Sequence, residues 1–276
     1  MVGLGRIMIA TALWGLSLSP LAEAAGRCER LVATGSPDNP PYVWQDPRHP
    51  DRLIGADVDL LEQIARDLGV TVQVLSAGTR EQAVEEARSG RLDLLLDLPL
   101  EAARLTAFDY LHPAVHVDDY QVWTRHDAAI AYASLEQLQP LQGSLVDAAR
   151  APEAMQGLLE AGLELERAQT PTEAFQRLTL GQLDYVIAPR FVGMATVQRL
   201  GLSAAVIASG VPAQRVERYL ALSHNSACND AWLRGELSRR LLDGAFEPAR
   251  QHALQRNLQR WQAQQAAVAG PHDTAE

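Results

Sequence analysis

The 276-residue chain has no lysine, only two cysteines, 5% aromatic residues and, past its first two dozen positions, no apolar run long enough to cross a membrane. Each shortage excludes something. Without lysine, every fixed cation is an arginine, so any permanent anion grip is a planar guanidinium fork rather than an ammonium point charge. Two cysteines, Cys28 and Cys228, allow at most one bridge, which cannot be the main support of a fold this large. They are either that bridge, tying the start of the mature chain to a segment near its end, or two separate buried thiols. The net charge of −10 argues against nucleic acid and anionic lipid surfaces as partners, because both reward a basic face. Neither G-x-S-x-G, nor a Walker sequence, nor H-E-x-x-H occurs, so no standard nucleophile or phosphate motif is present. No short repeat argues for a solenoid.

What is there begins with an address. Arg6 opens the chain, an apolar run spans 7–21, and Ala22-Glu23-Ala24 supplies an A-x-A cleavage pattern. That order predicts a signal peptide over 1–24, a mature chain from Ala25, and a periplasmic location. Lipid attachment at Cys28 is rejected, because Arg27 stands where a small residue is required. Apolar residues make up 47% of the chain, enough for a sizeable core across one large domain or two ordinary ones.

From Arg30 the chain alternates strand and helix signals. Residues 31–34 form a short apolar run, 39–44 are extended by prolines, and Val58, Leu61, Ile64, Ala65 and Leu68 recur with helical period before Gly69. A strand at 70–75, a helix at 80–88 and a buried strand at 92–96 follow, and this series implies a parallel sheet with helices on both faces. A long extended connection at 115–124 leads into a second series. It has a strand near Leu145, helices at 152–161 and 173–180, a strand at 183–188, a helix at 192–200 and a strand near Val206. A strand at 219–223 and helices at 230–242 and 249–261 close the chain. The Gln- and Ala-rich residues 262–276 read as a flexible tail.

Several segments together carry a resemblance: Leu31-Val32-Ala33-Thr34-Gly35 with Pro40-Pro41-Tyr42, then Gly55-Ala56-Asp57-Val58-Asp59-Leu60-Leu61. Ser89-Gly90-Arg91-Leu92-Asp93-Leu94 follows, then Arg104-Leu105-Thr106-Ala107-Phe108-Asp109-Tyr110 with Pro113, and Gly181-Gln182-Leu183-Asp184-Tyr185 in the second half. In order and spacing the chain resembles the bacterial extracellular solute-binding proteins of the polar-amino-acid-binding type (family 3, type II). The resemblance implies an α/β fold of two lobes, each a three-layer α/β/α sandwich, joined by two crossover strands near 120–123 and 218–222. Lobe 1 is then discontinuous, 25–121 with 220–261, and lobe 2 is 122–219. It also implies a monomer that captures a small ligand by lobe closure and works with an ABC transporter permease.

Within that frame Arg104 is the expected anion grip, since a guanidinium can give a carboxylate two parallel hydrogen bonds. Its alternative is a structural ion pair with Glu101 or Asp97. Tyr42 is expected at the cleft as an aromatic face, while Trp44 reads as core. Ser36, Asp38 and Asn39 share the loop after the first strand and either meet the ligand or shape a turn. The chain also departs from its relatives. Asp97-Leu98-Pro99-Leu100-Glu101 stands where glycine and hydroxyl residues are usual, and Pro189 and Arg190 stand where an acid usually meets an ammonium. Asp147-Ala148-Ala149-Arg150 replaces the usual Gly-Thr turn. These departures predict a ligand other than a standard α-amino acid. A same-fold enzyme of the cyclohexadienyl dehydratase type, with Asp97 or Glu101 as general acid, and a sensory or accessory module are the alternatives.

The histidines invite a metal reading. His112, His116, Asp118 and Asp119 lie close together, and His126 follows. On an extended connector His112 and His116 need not share a face, so no metal and no other cofactor is expected.

Overall fold

Short β-branched and leucine-rich runs become strands wherever both their faces are covered. In a computed structural model, which describes residues 28–146 and 152–269, β1 (Arg30–Thr34) lies between two parallel neighbours, β5 (Thr71–Val74) and β6 (Leu94–Pro99). All six residues of β6 are buried, as befits a strand covered on both faces. Between β1 and β5 the chain makes a small antiparallel sheet of β2 (Asp38–Asn39), β3 (Val43–Asp46) and β4 (His49–Ile54), then α1 (Ala56–Leu68). This small sheet is a finding of the structure, because its charged outer strand, His49-Pro50-Asp51-Arg52, carries no alternation a sequence reading could use. Helix α1 buries Val58, Leu60, Leu61, Ile64 and Ala65 and stops at Gly69 in the left-handed conformation. Helix α2 (Arg80–Arg88) starts from a reciprocal capping box between Thr79 and Gln82.

Two 18-residue strands then organise the molecule. β7 (Phe108–Arg125) and β11 (Val206–Ser223) pair antiparallel along almost their whole length. At one end β11 pairs with β6; at the other β7 pairs with β10 (Tyr185–Pro189). The single eight-stranded sheet runs β5-β1-β6-β11-β7-β10-β8-β9, with β8 (Gly143–Leu145) and β9 (Leu165–Arg167) at the far edge. Helices α3 (Pro152–Glu160), α4 (Pro171–Thr179) and α5 (Arg190–Arg199) complete the second half. The sequence reading separates a strand near Val206 from one at 219–223. They are one strand, because register shifts at Ala208/Pro212, Pro212/Gln214 and Arg218/Leu220 absorb the Gly-Pro interruption. Separate apolar cores serve the two halves: Leu31, Leu61, Leu94 and Leu222 in one, and Tyr120, Leu158 and Tyr185 with Phe175, Val186 and Ala188 in the other. The fold is the two-lobed α/β architecture.

Helix α6 (Ala231–Leu241) packs on α1, and α7 (Phe246–Ala269) packs on both α1 and α5. Where fraying is expected beyond Trp261, α7 continues to Ala269. The Gln264 side chain accepts a 3.0 Å bond from the Trp44 indole and so has a tertiary partner. Cys28 and Cys228 form a disulfide across 200 residues, closing the first lobe between its first strand and α6. Residues 1–27, with the expected signal peptide, and 147–151, where Asp147-Ala148-Ala149-Arg150 replaces the usual Gly-Thr turn, lie outside the described residues, as do 270–276 of the expected tail. No described helix is long and apolar enough to span a membrane.

Candidate functional site

Gly55 sets the first part of the site. Its φ is +143°, and a Cβ there would lie 2.0 Å from the Tyr42 carbonyl oxygen; only glycine lets the backbone approach so closely. That approach brings the Asp57 amide onto the Tyr42 carbonyl at 3.1 Å and sends the Asp57 side chain inward at the start of α1. On β7, His116 and Asp118 are two residues apart and share the buried face, while Val117 between them is exposed. Arg218 on β11 sits opposite His116 in register. Asp97 near the end of β6 takes φ +62°, a left-handed conformation uncommon outside glycine.

These residues form one buried charged cluster, none of them more than 4% exposed. His116 Nδ1 lies 2.8 Å from Asp57 Oδ2. Its Nε2 faces Asp118 Oδ1 at 3.6 Å and Asp97 Oδ1 at 3.8 Å. Arg218 Nε donates to Asp118 Oδ2 at 2.9 Å and lies 3.6 Å from Asp97 Oδ1. The Asn39 amide donates to Asp97 Oδ2 at 3.0 Å. The Tyr42 ring stacks on the His116 imidazole at 3.6 Å with an interplanar angle of 5°. Burial alone would strip the His116 charge, but Asp57 and Asp118 outweigh it and hold its pKa at about 10. Burial raises Asp97 against the pull of Arg218 and His116, and burial followed by Asp118 and Asp57 drives the Tyr42 phenol well above its ordinary value.

His116 and Tyr42 are also on the wall of a cleft of about 1070 Å³, lined from both lobes. The first lobe contributes Glu101 and Phe246, the second Arg190 and Phe191, and the crossover strands add Asp119 and Arg215. Most charges at this cleft are paired within the protein: Arg215 with Asp119 at 3.2 Å and Arg250 with Glu247 at 2.6 Å. Arg190, exposed at the start of α5, has no carboxylate within ion-pair distance among the described residues; its guanidinium lies 5.6 Å from the Phe191 ring centre.

The structure disperses the residues named from sequence. Tyr42 and Arg190 line the cleft. Arg104 stands beside it, its Nη1 3.3 Å from Glu101 Oε1, and Glu101 is the one of the two on the cleft wall. Burial raises the Glu101 carboxyl; Arg104 opposes this and Glu153 adds to it. Glu153, from α3 of the second lobe, accepts from the Ala102 amide at 3.1 and 3.2 Å, so the lobes touch here through a carboxylate of the chain itself. Asp97 and Asn39 are turned into the interior cluster. Ser36 accepts from Arg80 Nε at 2.6 Å, and Arg80 also pairs with Asp38. Pro189 ends β10 opposite Tyr120. Sequence reasoning missed Asp57, Arg218, Glu153 and Phe191. Asp57 belongs to the Gly55–Leu61 segment that carries the family resemblance, and a histidine and an aspartate at i and i+2 on an extended run signal one strand face. Nothing in the sequence ties Arg218 to them across 100 residues.

A two-lobed α/β molecule with a cleft between its lobes and a pair of crossover strands defines a class, the binding proteins of the periplasmic type. The family model for bacterial extracellular solute-binding proteins, family 3, matches residues 31–211, and the chain belongs to that family. Among solved structures, a histidine kinase sensor domain with similarity to periplasmic binding proteins has a TM-score of 0.60 at 24% identity, covering 83% of this chain and 97% of that one. An amino acid ABC transporter substrate-binding protein from Streptococcus pneumoniae, bound to L-arginine, gives 0.59 at 20% identity, with 84% and 94% covered. An ancestral amino-acid-binding protein described as a precursor of cyclohexadienyl dehydratase gives 0.59 at 17%, with 82% and 95% covered. At these identities the likeness is one of fold. No curated protein sequence matches.

Proposed function

We propose that this chain is an exported periplasmic capture protein that closes its two lobes on a small carboxylate-bearing ligand and hands it to an ABC transporter permease. The observation that carries the reading is the cleft of about 1070 Å³ lined from both lobes, beside which Arg104 already faces a carboxylate, that of Glu101. A ligand carboxylate would take the place of Glu101 there, helped by the raised affinity of Glu101 for a proton. Ligand that bridges both lobes favours the closed state by its differential affinity for it.

The ligand is not a standard α-amino acid. At the exit of β10 stand Pro189 and Arg190 rather than a carboxylate, and an ammonium left without a partner in a closed cleft costs about 2–5 kcal/mol. The test is the melting temperature of the purified protein against a panel of amino acids, hydroxy acids and dicarboxylates. Ligand at a hundred times its Kd adds about 2.7 kcal/mol of stability, so a true ligand gives an obvious rise. A rise with a non-amino-acid carboxylate supports the reading, and a large one with any standard amino acid overturns it.

A second reading, a sensory or accessory module, draws support from contacts that the chain makes between its own lobes. These are Glu153 on the Ala102 amide and the Tyr42–Phe191 edge contact at 5.6 Å. Failure of every compound in the panel favours it. A dehydratase-type enzyme would use Glu101, whose raised carboxyl suits a general acid; turnover of cyclohexadienyl acids separates it from capture.

A further inference from the structure

We propose that Asp97, His116 and Asp118 bind one divalent transition-metal ion at the junction of the first lobe with the crossover strands. Each of the three offers an atom within 4.8 Å of the other two. The imidazole Nε2 lies 3.6 and 3.8 Å from the two carboxylate oxygens. Donors around one tetrahedral ion with bonds of about 2.0–2.2 Å stand about 3.3–3.6 Å apart, so small side-chain shifts complete the shell.

The surrounding contacts point the same way. Asp57 faces the opposite imidazole nitrogen at 2.8 Å, the carboxylate–histidine arrangement that fixes ring orientation in metal sites. Asn39 holds the outer oxygen of Asp97, and Arg218 holds the outer oxygen of Asp118. The inner oxygens, Asp97 Oδ1 and Asp118 Oδ1, face His116 Nε2. Of these, His116 Nε2 and Asp97 Oδ1 are fully buried without a hydrogen-bond partner, and buried polar atoms in that condition call for a ligand or an ion.

Charge permits the exchange. His116 is held protonated by the carboxylates around it, so an ion bound at Nε2 takes the place of that proton and puts a divalent charge among Asp57, Asp97 and Asp118 where a single one stood. One imidazole with two carboxylates suits Zn²⁺, Co²⁺, Fe²⁺ or Mn²⁺ better than Cu⁺ or Ca²⁺. Three protein donors leave a coordination position for water or a guest, and His116 is itself on the cleft wall. The proposal stands apart from the identity of the captured ligand.

The experiment uses the mature chain, stripped with a chelator, dialysed separately against Zn²⁺, Mn²⁺ and Co²⁺, and desalted. Metal per protein is measured by mass spectrometry, with the melting temperature and the visible spectrum of the Co²⁺ form. The expected result is one equivalent retained with at least one of these ions, a raised melting temperature, and at least about a hundredfold weaker binding in Asp97→Asn and His116→Gln. Asp57→Asn, which acts only through His116, should weaken binding about 10–100-fold and alter the Co²⁺ spectrum without abolishing it. His49 beside Asp46 and His224 beside Asp109 are the surface pairs that could take an adventitious ion, so His49→Asn and His224→Asn must leave the stoichiometry at one. Circular dichroism establishes which variants fold. Should none of the buried variants fold, the wild-type chain decides alone: no ion retained and no thermal shift with any of the three metals overturns the proposal. Undiminished binding in a folded His116→Gln chain also overturns it.

Discussion

At the residue scale the defining feature is a set of ionisable groups sealed beneath the cleft. Arg218, 1% exposed, holds Asp118 at 2.9 Å and faces Asp97. Replacing it with methionine keeps the volume but removes the nearest cation from two buried carboxylates. Arg218→Met is therefore expected to destabilise the fold by about 3–5 kcal/mol, read from the urea midpoint at unchanged slope. Glu101 gives the pH dependence. Its folded carboxyl is raised above 4.5, so the folded state holds this proton more tightly than the unfolded chain. The associated stability is complete below about pH 4.5 and is lost as pH rises through the folded value. Glu101→Gln should flatten that decline, leaving the mutant the more stable protein at neutral pH; an unchanged slope in chemical denaturation across this window counts against the assignment.

At the scale of elements, α1 shows how one residue places another. The turn before it depends on Gly55, whose Cβ position is filled by the Tyr42 carbonyl and whose φ side chains rarely adopt. Gly55→Ala is expected to cost about 1–3 kcal/mol in backbone strain, with a further penalty from the contact. It should also loosen the Asp57–His116 pair, visible as a shifted histidine ring resonance in NMR spectra. β7 and β11 illustrate the opposite case, in which a weak local signal yields a long strand. Proline and glycine at 210–212 suggest a break, yet pairing with β7 carries β11 through it by register shifts. Local propensity lost there to tertiary pairing.

At the scale of the whole molecule the question is what holds the lobes at their spacing. Helix α7 touches α1 of the first lobe and α5 of the second, and its later turns, with Trp261, Gln262 and Gln265, close a cavity of about 160 Å³ against Met194 and Gln198. Ending the chain after Trp261 removes Gln264 from Trp44 and Gln265 from α5. The expected outcome is an intact fold by circular dichroism with a larger radius of gyration in solution scattering. An unchanged radius would show that the crossover strands and the Glu153 contact suffice.

The strand and helix series, the two halves, the family resemblance and Cys28 with Cys228 as the sole pair available for a bridge were legible in the sequence, because each rests on periodicity, local order or a count. Arg104, Tyr42 and Arg190 could be named as site candidates, but their partners could not. Whether Arg104 faces a guest or Glu101, and whether Asp97 points to the cleft or inward, depends on backbone conformation at single residues such as the left-handed turn at Asp97. The buried cluster was invisible for a further reason. Asp57, Asp97, His116 and Arg218 come from four separate elements, and only the sheet order that sets β6 beside β11 and β11 beside β7, with α1 packed against it, links them in a chain of contacts each under 4 Å. The sequence by itself determined the main strand and helix series and its buried faces; only the tertiary structure decided the small β2–β4 sheet, the continuity of β11 and which charges meet, because pairing and electrostatic contact depend on distances that linear order does not contain.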